Sequence, residues 1–152
     1  MQNRQWARPT LVLAAAIAVA APLSAQSGGV DVTVTVTNLR NHDGVVRACM
    51  TRDEDRFPRC QDSSQGYRAV VPAGEATTLR FHNVTPGTYA IALLHDENDD
   101  GRANRALGMM PREGFGFSRD APVRMGPPDF EDAAIEVGTT SLRQTIRMRY
   151  ML

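Results

Sequence analysis

The sequence predicts an all-β fold, an antiparallel β-sandwich of six to eight strands with one long ordered loop. Three observations carry this. Short segments alternate apolar and polar residues with period two, and clusters of Gly, Pro, Asn and Asp separate them. No stretch of the mature chain sustains a long helical period. Helices on a sheet face would demand one, so two sheets facing each other remain as the way to bury the apolar sides.

The elements follow in order. Val30, Val32, Val34 and Val36 alternate with Asp31, Thr33, Thr35 and Thr37, a half-buried strand in β-branched residues. Turn residues Asn38 to Gly44 lead to a second strand, Val45 to Met50, and Thr51-Arg52-Asp53-Glu54 fits a capping box that predicts one helical turn before Pro58. Tyr67 to Val71 is a short third strand. Thr77, Leu79 and Phe81 share one face of a fourth, and Thr85-Pro86-Gly87-Thr88 makes a tight turn. Tyr89 to His95 is the most apolar strand and is expected at the centre. Leu142, Gln144, Ile146, Met148 and Tyr150 alternate with Arg143, Thr145, Arg147 and Arg149 in a last strand with one strongly basic face. Residues 96–131 hold no recognisable strand or helix. Phe115, Phe117 and Phe130 punctuate them, so an ordered loop is expected, pinned by those rings to one end of the sandwich.

Residues 1–25 read as a secretory signal peptide. Arg4 and Arg8 precede an apolar run from Leu11 to Ala21, and Pro22-Leu23-Ser24-Ala25 offers a small-residue exit. The run is too short to span a bilayer, so no transmembrane anchor is expected after cleavage. The mature part, 26–152, is one domain's worth of chain. It keeps fifteen arginines against seventeen acids, a net charge of −2. That balance argues against a nucleic-acid binder. Every basic residue is arginine, and the absence of lysine excludes Schiff-base chemistry and a P-loop. In an oxidising compartment, periplasmic or secreted, Cys49 and Cys60 are expected to pair, with two unpaired thiols as the alternative.

The stretch richest in chemistry is Asp96-Glu97-Asn98-Asp99-Asp100-Gly101-Arg102-Ala103-Asn104. Oxygen-bearing side chains stand at relative positions 1, 3, 5 and 9, with glycine at 6, as in the first half of a calcium loop. Alternate side chains can converge there while glycine permits the sharp turn. Asp96, Asn98, Asp100 and the Arg102 carbonyl are the expected ligands, with Asn104 and Glu113 as additions. Hard oxygen donors favour Ca²⁺ over transition metals. Position 12 is Leu107, where an EF-hand carries glutamate, and neither flank is helical, so the loop is not an EF-hand. Glu113 or Asp132 could complete the shell from elsewhere in the chain. The alternative is a solvated acidic turn.

Other candidates carry less. His95 beside Asp96 or Glu113 suggests a small hydrolase, but Gly116-Phe117-Ser118-Arg119-Asp120 is not a nucleophile elbow. The stripe Arg143, Arg147, Arg149 is either a solvated face or a surface for acidic glycans or membrane headgroups. Met109, Met110 and Met125 fit packing better than copper ligation.

A longer series of residues resembles a known family. Pro86-Gly87-Thr88-Tyr89-Ala90 is followed by His95-Asp96-Glu97-Asn98 with Asp100-Gly101, then Gly108, then Glu113-Gly114 with Gly116-Phe117-Ser118. Gly126-Pro127-Pro128 precedes Phe130-Glu131-Asp132-Ala133. Taken together the series is similar to exported bacterial proteins of domain of unknown function family 2141. The resemblance implies an immunoglobulin- or prealbumin-like sandwich and brings no established activity. The Pro-Gly-Thr-Tyr turn also looks like that of transthyretin-like modules. The purine-pathway hydrolases among those end in Tyr-Arg-Gly-Ser, and this chain ends Arg149-Tyr150-Met151-Leu152. The expected function is a non-enzymatic exported module that meets a protein, glycan or small-molecule ligand at its long-loop end, with calcium ordering the loop. A periplasmic hydrolase using His95, or a purely structural envelope protein, stands as the alternative.

Overall fold

The computed structural model describes residues 28–60, 66–106 and 110–152. The leader expected at 1–25 lies outside them. Ten strands are present among the described residues: β1 Val30–Thr37, β2 Val45–Thr51, β3 Tyr67–Pro72, β4 Thr78–Val84, β5 Gly87–Asp96, β6 Arg105–Ala106, β7 Met110–Pro111, β8 Gly114–Phe117, β9 Ile135–Val137 and β10 Leu142–Arg147. A 3₁₀ turn, Ser118–Asp120, and a single helical turn, α1 Phe130–Ala133, complete the set.

Two sheets face each other. One has the order β10–β1–β4; the other runs β3–β2–β5–β8, with β9 pairing the other half of the β5 edge that β8 uses. Period-two patterning explains the core between them. The valines of β1 alternate inward with Leu79, Phe81 and Ile146, and meet Val46, Ala48, Met50, Tyr89, Ile91 and Leu93 of the opposite sheet. β5 is central, as its apolar composition predicts. One pairing departs from the antiparallel expectation: β1 and β10 run parallel, Val32 opposite Leu142 through Thr37 opposite Arg147. Alternation fixes which side of a strand is buried but not its direction, so the sequence pattern could not show this.

The 96–131 segment corrects the sequence expectation twice. It contains β6, β7, β8 and the 3₁₀ turn, where no strand or helix was expected. β8 reads poorly as a strand because its inward positions are glycines. A Cβ at Gly116 would lie 2.9 Å from the Ile146 side chain and 3.2 Å from the carbonyl of Arg147. Glycine lets the segment after β10 close onto β8, where Phe115 and Arg149 exchange backbone hydrogen bonds of 3.0 and 2.8 Å. The phenylalanines also sit differently. Phe117 and Phe130 join Phe57, Cys49, Ala90 and Ala92 in a second apolar cluster on the outer face of the larger sheet, rather than at one end of the sandwich.

Cys49 and Cys60 form a disulfide within that cluster, Cα atoms 5.8 Å apart. In the segment after Thr51 the Asp53 carbonyl accepts the amides of Arg56 and Phe57, a single turn of helical spacing before Pro58 that does not extend into a helix. Among the described residues no helix is long and apolar enough to cross a membrane.

Candidate metal centre and its surroundings

The acidic loop begins on the last residue of β5. Asp96 points to the outer side of the larger sheet and has no solvent exposure, so its carboxylate must be satisfied internally. Oδ1 accepts the amide of Asp100 at 3.1 Å, and Oδ2 accepts the amide of Gly101 at 2.9 Å and Nε of Arg47 at 2.6 Å. Arg47 comes from β2, two residues from Cys49, and its second branch reaches Oδ1 of Asp99 at 2.6 Å. The amides can converge because Asp99 and Gly101 turn into the left-handed region, with φ of 53° and 77°.

Asp100 is exposed. Its Oδ1 accepts the amide of Arg102 at 2.8 Å, and its Oδ2 accepts the side-chain amides of Asn104 at 2.9 Å and Asn98 at 3.1 Å. Those donors, Asn104 foremost, hold its carboxyl below the ordinary aspartate range. The short β6–β7 hairpin then brings Glu113 back. Its buried carboxylate accepts the amide of Asn104 at 3.0 Å, while the amide of Arg112 donates to the Asn104 carbonyl at 2.9 Å. As a result Asp96, Asp100 and Glu113 each place a carboxylate oxygen within 4.8 Å of the others.

The other expected ligands divide. Asn98 and Asn104 stand against this cluster, with the Asn104 side-chain amide also 3.4 Å from Glu113 Oε1. Arg102 is exposed, its amide on Asp100. Asp132 is exposed in α1 and is not part of the cluster.

Two arginines that sequence reasoning did not single out organise the site. Arg47 balances Asp96 from β2; its signal was a charged residue flanked by Val46 and Ala48 in an otherwise apolar strand. Arg40 grips Glu97, with Nε to Oε1 at 2.8 Å and Nη2 to Oε2 at 2.5 Å, and Asn41 adds a further bond. Arg40 also lies 4.7 Å over the Tyr150 ring and donates to the carbonyls of Arg112 and Leu152, so it ties the C-terminal segment to the loop. The hydrogen bond to Arg40 holds the Glu97 carboxyl below its usual range. Glu97 is thus held by Arg40 and Asn41 and is not one of the three clustered carboxylates. A depression of about 530 Å³ opens beside the site, lined by Arg40, Glu97, Asn98, Asn104, Arg112 and Glu113 among others.

His95 is wholly buried. Its Nδ1 meets the Tyr150 hydroxyl at 2.8 Å and its Nε2 the Asp43 carbonyl at 2.9 Å. It is a buried tie between the loop after β1 and the C-terminal segment, so the hydrolase alternative loses the accessible base it rests on. Ser118, likewise buried, accepts the amide of Ile91 at 2.9 Å and donates to the carbonyl of Ala133 at 2.5 Å.

No curated protein and no solved structure matches the chain. Residues 34–145, from the middle of β1 into β10 and including the whole acidic loop and Glu113, match the family described as "Uncharacterized protein conserved in bacteria (DUF2141)". With most of its length inside that match, the chain belongs to the bacterial DUF2141 family.

Proposed function

We infer that this chain is an exported, non-enzymatic binding module whose 96–113 segment closes around a calcium ion and presents the adjoining depression to a ligand or partner. The observation that carries it is the convergence of Asp96, Asp100 and Glu113 oxygens within 4.8 Å, although Glu113 lies beyond a separate hairpin. Bringing like charges together costs free energy that a hard divalent cation offsets. The amides of Asp100 and Gly101 orient the Asp96 carboxylate, as the first ligand of such a loop needs. Asn98 and Asn104 add neutral amide oxygens once their side chains rotate toward an ion. Arg47 offsets part of the negative charge, which agrees with weak affinity, on the order of 10⁻⁴–10⁻³ M, as in extracellular modules. Asn98, Asn104 and Glu113 also line the depression, so an ion there would stiffen its floor.

Calorimetric titration with CaCl₂, paired with melting curves, tests this. Saturable heat is expected, with a stabilisation of about 1.4 kcal/mol at ten times the dissociation constant. The double substitution Asp100→Asn with Glu113→Gln should abolish both while the protein stays folded in chelator. An absence of heat and of any melting shift at millimolar calcium removes the metal from the proposal.

A further inference from the structure

The basic stripe at the C-terminus takes a different form in the folded chain. Arg149 leaves it, since its guanidinium donates to the carbonyls of Ala121 and Asp120 at 2.7 Å each. Arg143 and Arg147 remain on the outer face of β10, and the sheet brings them a third partner. Thr33 of β1 pairs with Arg143 on one side and Arg80 of β4 on the other. The next outward row is Thr145–Thr35–Thr78, and the row after it is Arg147–Thr37.

This face is bare among the described residues, whereas the outer face of the larger sheet carries the Phe57, Phe117 and Phe130 cluster. Arg80, Arg143 and Arg147 are all exposed, and none makes an ion pair among the described residues. The carboxylates near them are few. Asp31, in the row next to Arg143–Thr33–Arg80, is paired with His82, and Asp120 at the other end accepts the Arg147 backbone amide at 2.9 Å. In a chain of zero formal net charge, three unpaired guanidiniums on one flat surface are a local excess.

We propose that the threonine and arginine face of the β10–β1–β4 sheet docks an acidic polysaccharide. Arg143 and Arg80 stand two strand spacings apart, about 10 Å, and Arg143 and Arg147 are four residues apart, about 13 Å. Such intervals suit acidic groups recurring along an extended chain of sugars. Guanidinium groups pair with carboxylate or sulfate in a two-pronged geometry, and threonine hydroxyls both donate to and accept from sugar hydroxyls. The rows through Thr33, Thr35 and Thr37 contain no aromatic or large aliphatic side chain, and the His82 ring in the adjoining row is held by Asp31. A membrane-inserting surface or a protein hot spot needs such anchors, and single-stranded nucleic acid needs stacking rings.

The test is retention of the whole protein on immobilised polygalacturonate at low salt, with neutral dextran, anionic phospholipid vesicles and duplex DNA as parallel arms. Wild type should be retained by polygalacturonate and not by dextran, and salt should release it. Arg80→Gln with Arg143→Gln and Arg147→Gln should weaken retention about tenfold, three exposed ion pairs acting together. Arg59→Gln with Arg105→Gln and Arg124→Gln removes the same charge from other exposed positions and should change little. Melting curves certify the fold of both variants, and single Arg143→Gln carries the comparison if the triple variant melts early. No retention, equal losses in both triple variants, or equal binding to vesicles or DNA would overturn the proposal.

Discussion

Replacing Arg47 by methionine keeps the length of the aliphatic stem and deletes the charge. In the native fold Asp96 has no solvent exposure, and Arg47 Nε lies 2.6 Å from its Oδ2. Breaking a buried ion pair on one side costs about 3–5 kcal/mol, because the remaining charge stays desolvated. Two features lower that here. The amides of Asp100 and Gly101 still hold the carboxylate, and the Arg47 side chain is 22% exposed, so part of its attraction is already screened. The contact with Asp99, whose side chain is 58% exposed, adds little. The expected loss is therefore about 2–4 kcal/mol, which lowers the melting temperature by on the order of 10 °C in a chain of this size. Thermal unfolding in chelator measures it. A second measurement separates the structural role of Arg47 from its effect on a bound ion. A divalent cation beside the freed carboxylate gains on the order of 1 kcal/mol even at the dielectric constant of water, so calcium should bind several-fold more tightly to the variant. A melting change of less than about 2 °C in chelator would refute the claim that Arg47 neutralises a buried Asp96. Unchanged or weaker calcium binding in a folded variant would refute the shared location of ion and guanidinium.

Cys49→Ser with Cys60→Ser should lose about 3 kcal/mol, the chain-entropy value for a loop of this length, read from denaturant midpoints with and without reductant. An equal midpoint for wild type and variant under oxidising conditions would show that the bridge contributes nothing. The Arg40–Glu97 pair predicts a pH dependence of definite sign. Because Arg40 depresses the Glu97 carboxyl, its contribution is complete above the ordinary glutamate pKa of about 4.3 and fades as pH falls through the depressed value. Melting curves of wild type and Glu97→Gln should differ most near neutral pH and converge in acid. A gap that stays constant across that range would mean the ionised pair is not its source.

The two proposed surfaces have different physical origins. The carboxylate cluster depends on a hairpin and on backbone amides that converge on Asp96, so it is a product of loop geometry. The arginine and threonine face depends on strand register alone, since one sheet aligns residues from β1, β4 and β10 in rows. Asp31 and His82 lie on that face and Glu113 in the cluster, so substitutions at one surface can be made without touching the other.

The sequence by itself determined the alternation of buried and exposed positions, the central place of the Tyr89–His95 strand and the composition of the acidic loop. These are local properties, because side-chain period and turn chemistry act over a few residues. Other features were decided only when distant segments met. Gly114-Phe115-Gly116-Phe117 became a strand because Ile146 and the segment after β10 press against its inner side, which the weak strand propensity of glycine concealed. Arg47 found Asp96 across 49 positions and Arg40 found Glu97 across 57, pairings that no spacing rule encodes. Pairing of β1 with both β10 and β4 set Arg80 beside Arg143 on the basic face, while Arg149 turned to the carbonyls of Ala121 and Asp120. Which residues share a face is written in the local period, whereas which faces share a neighbour is set by closing the sheets around one core.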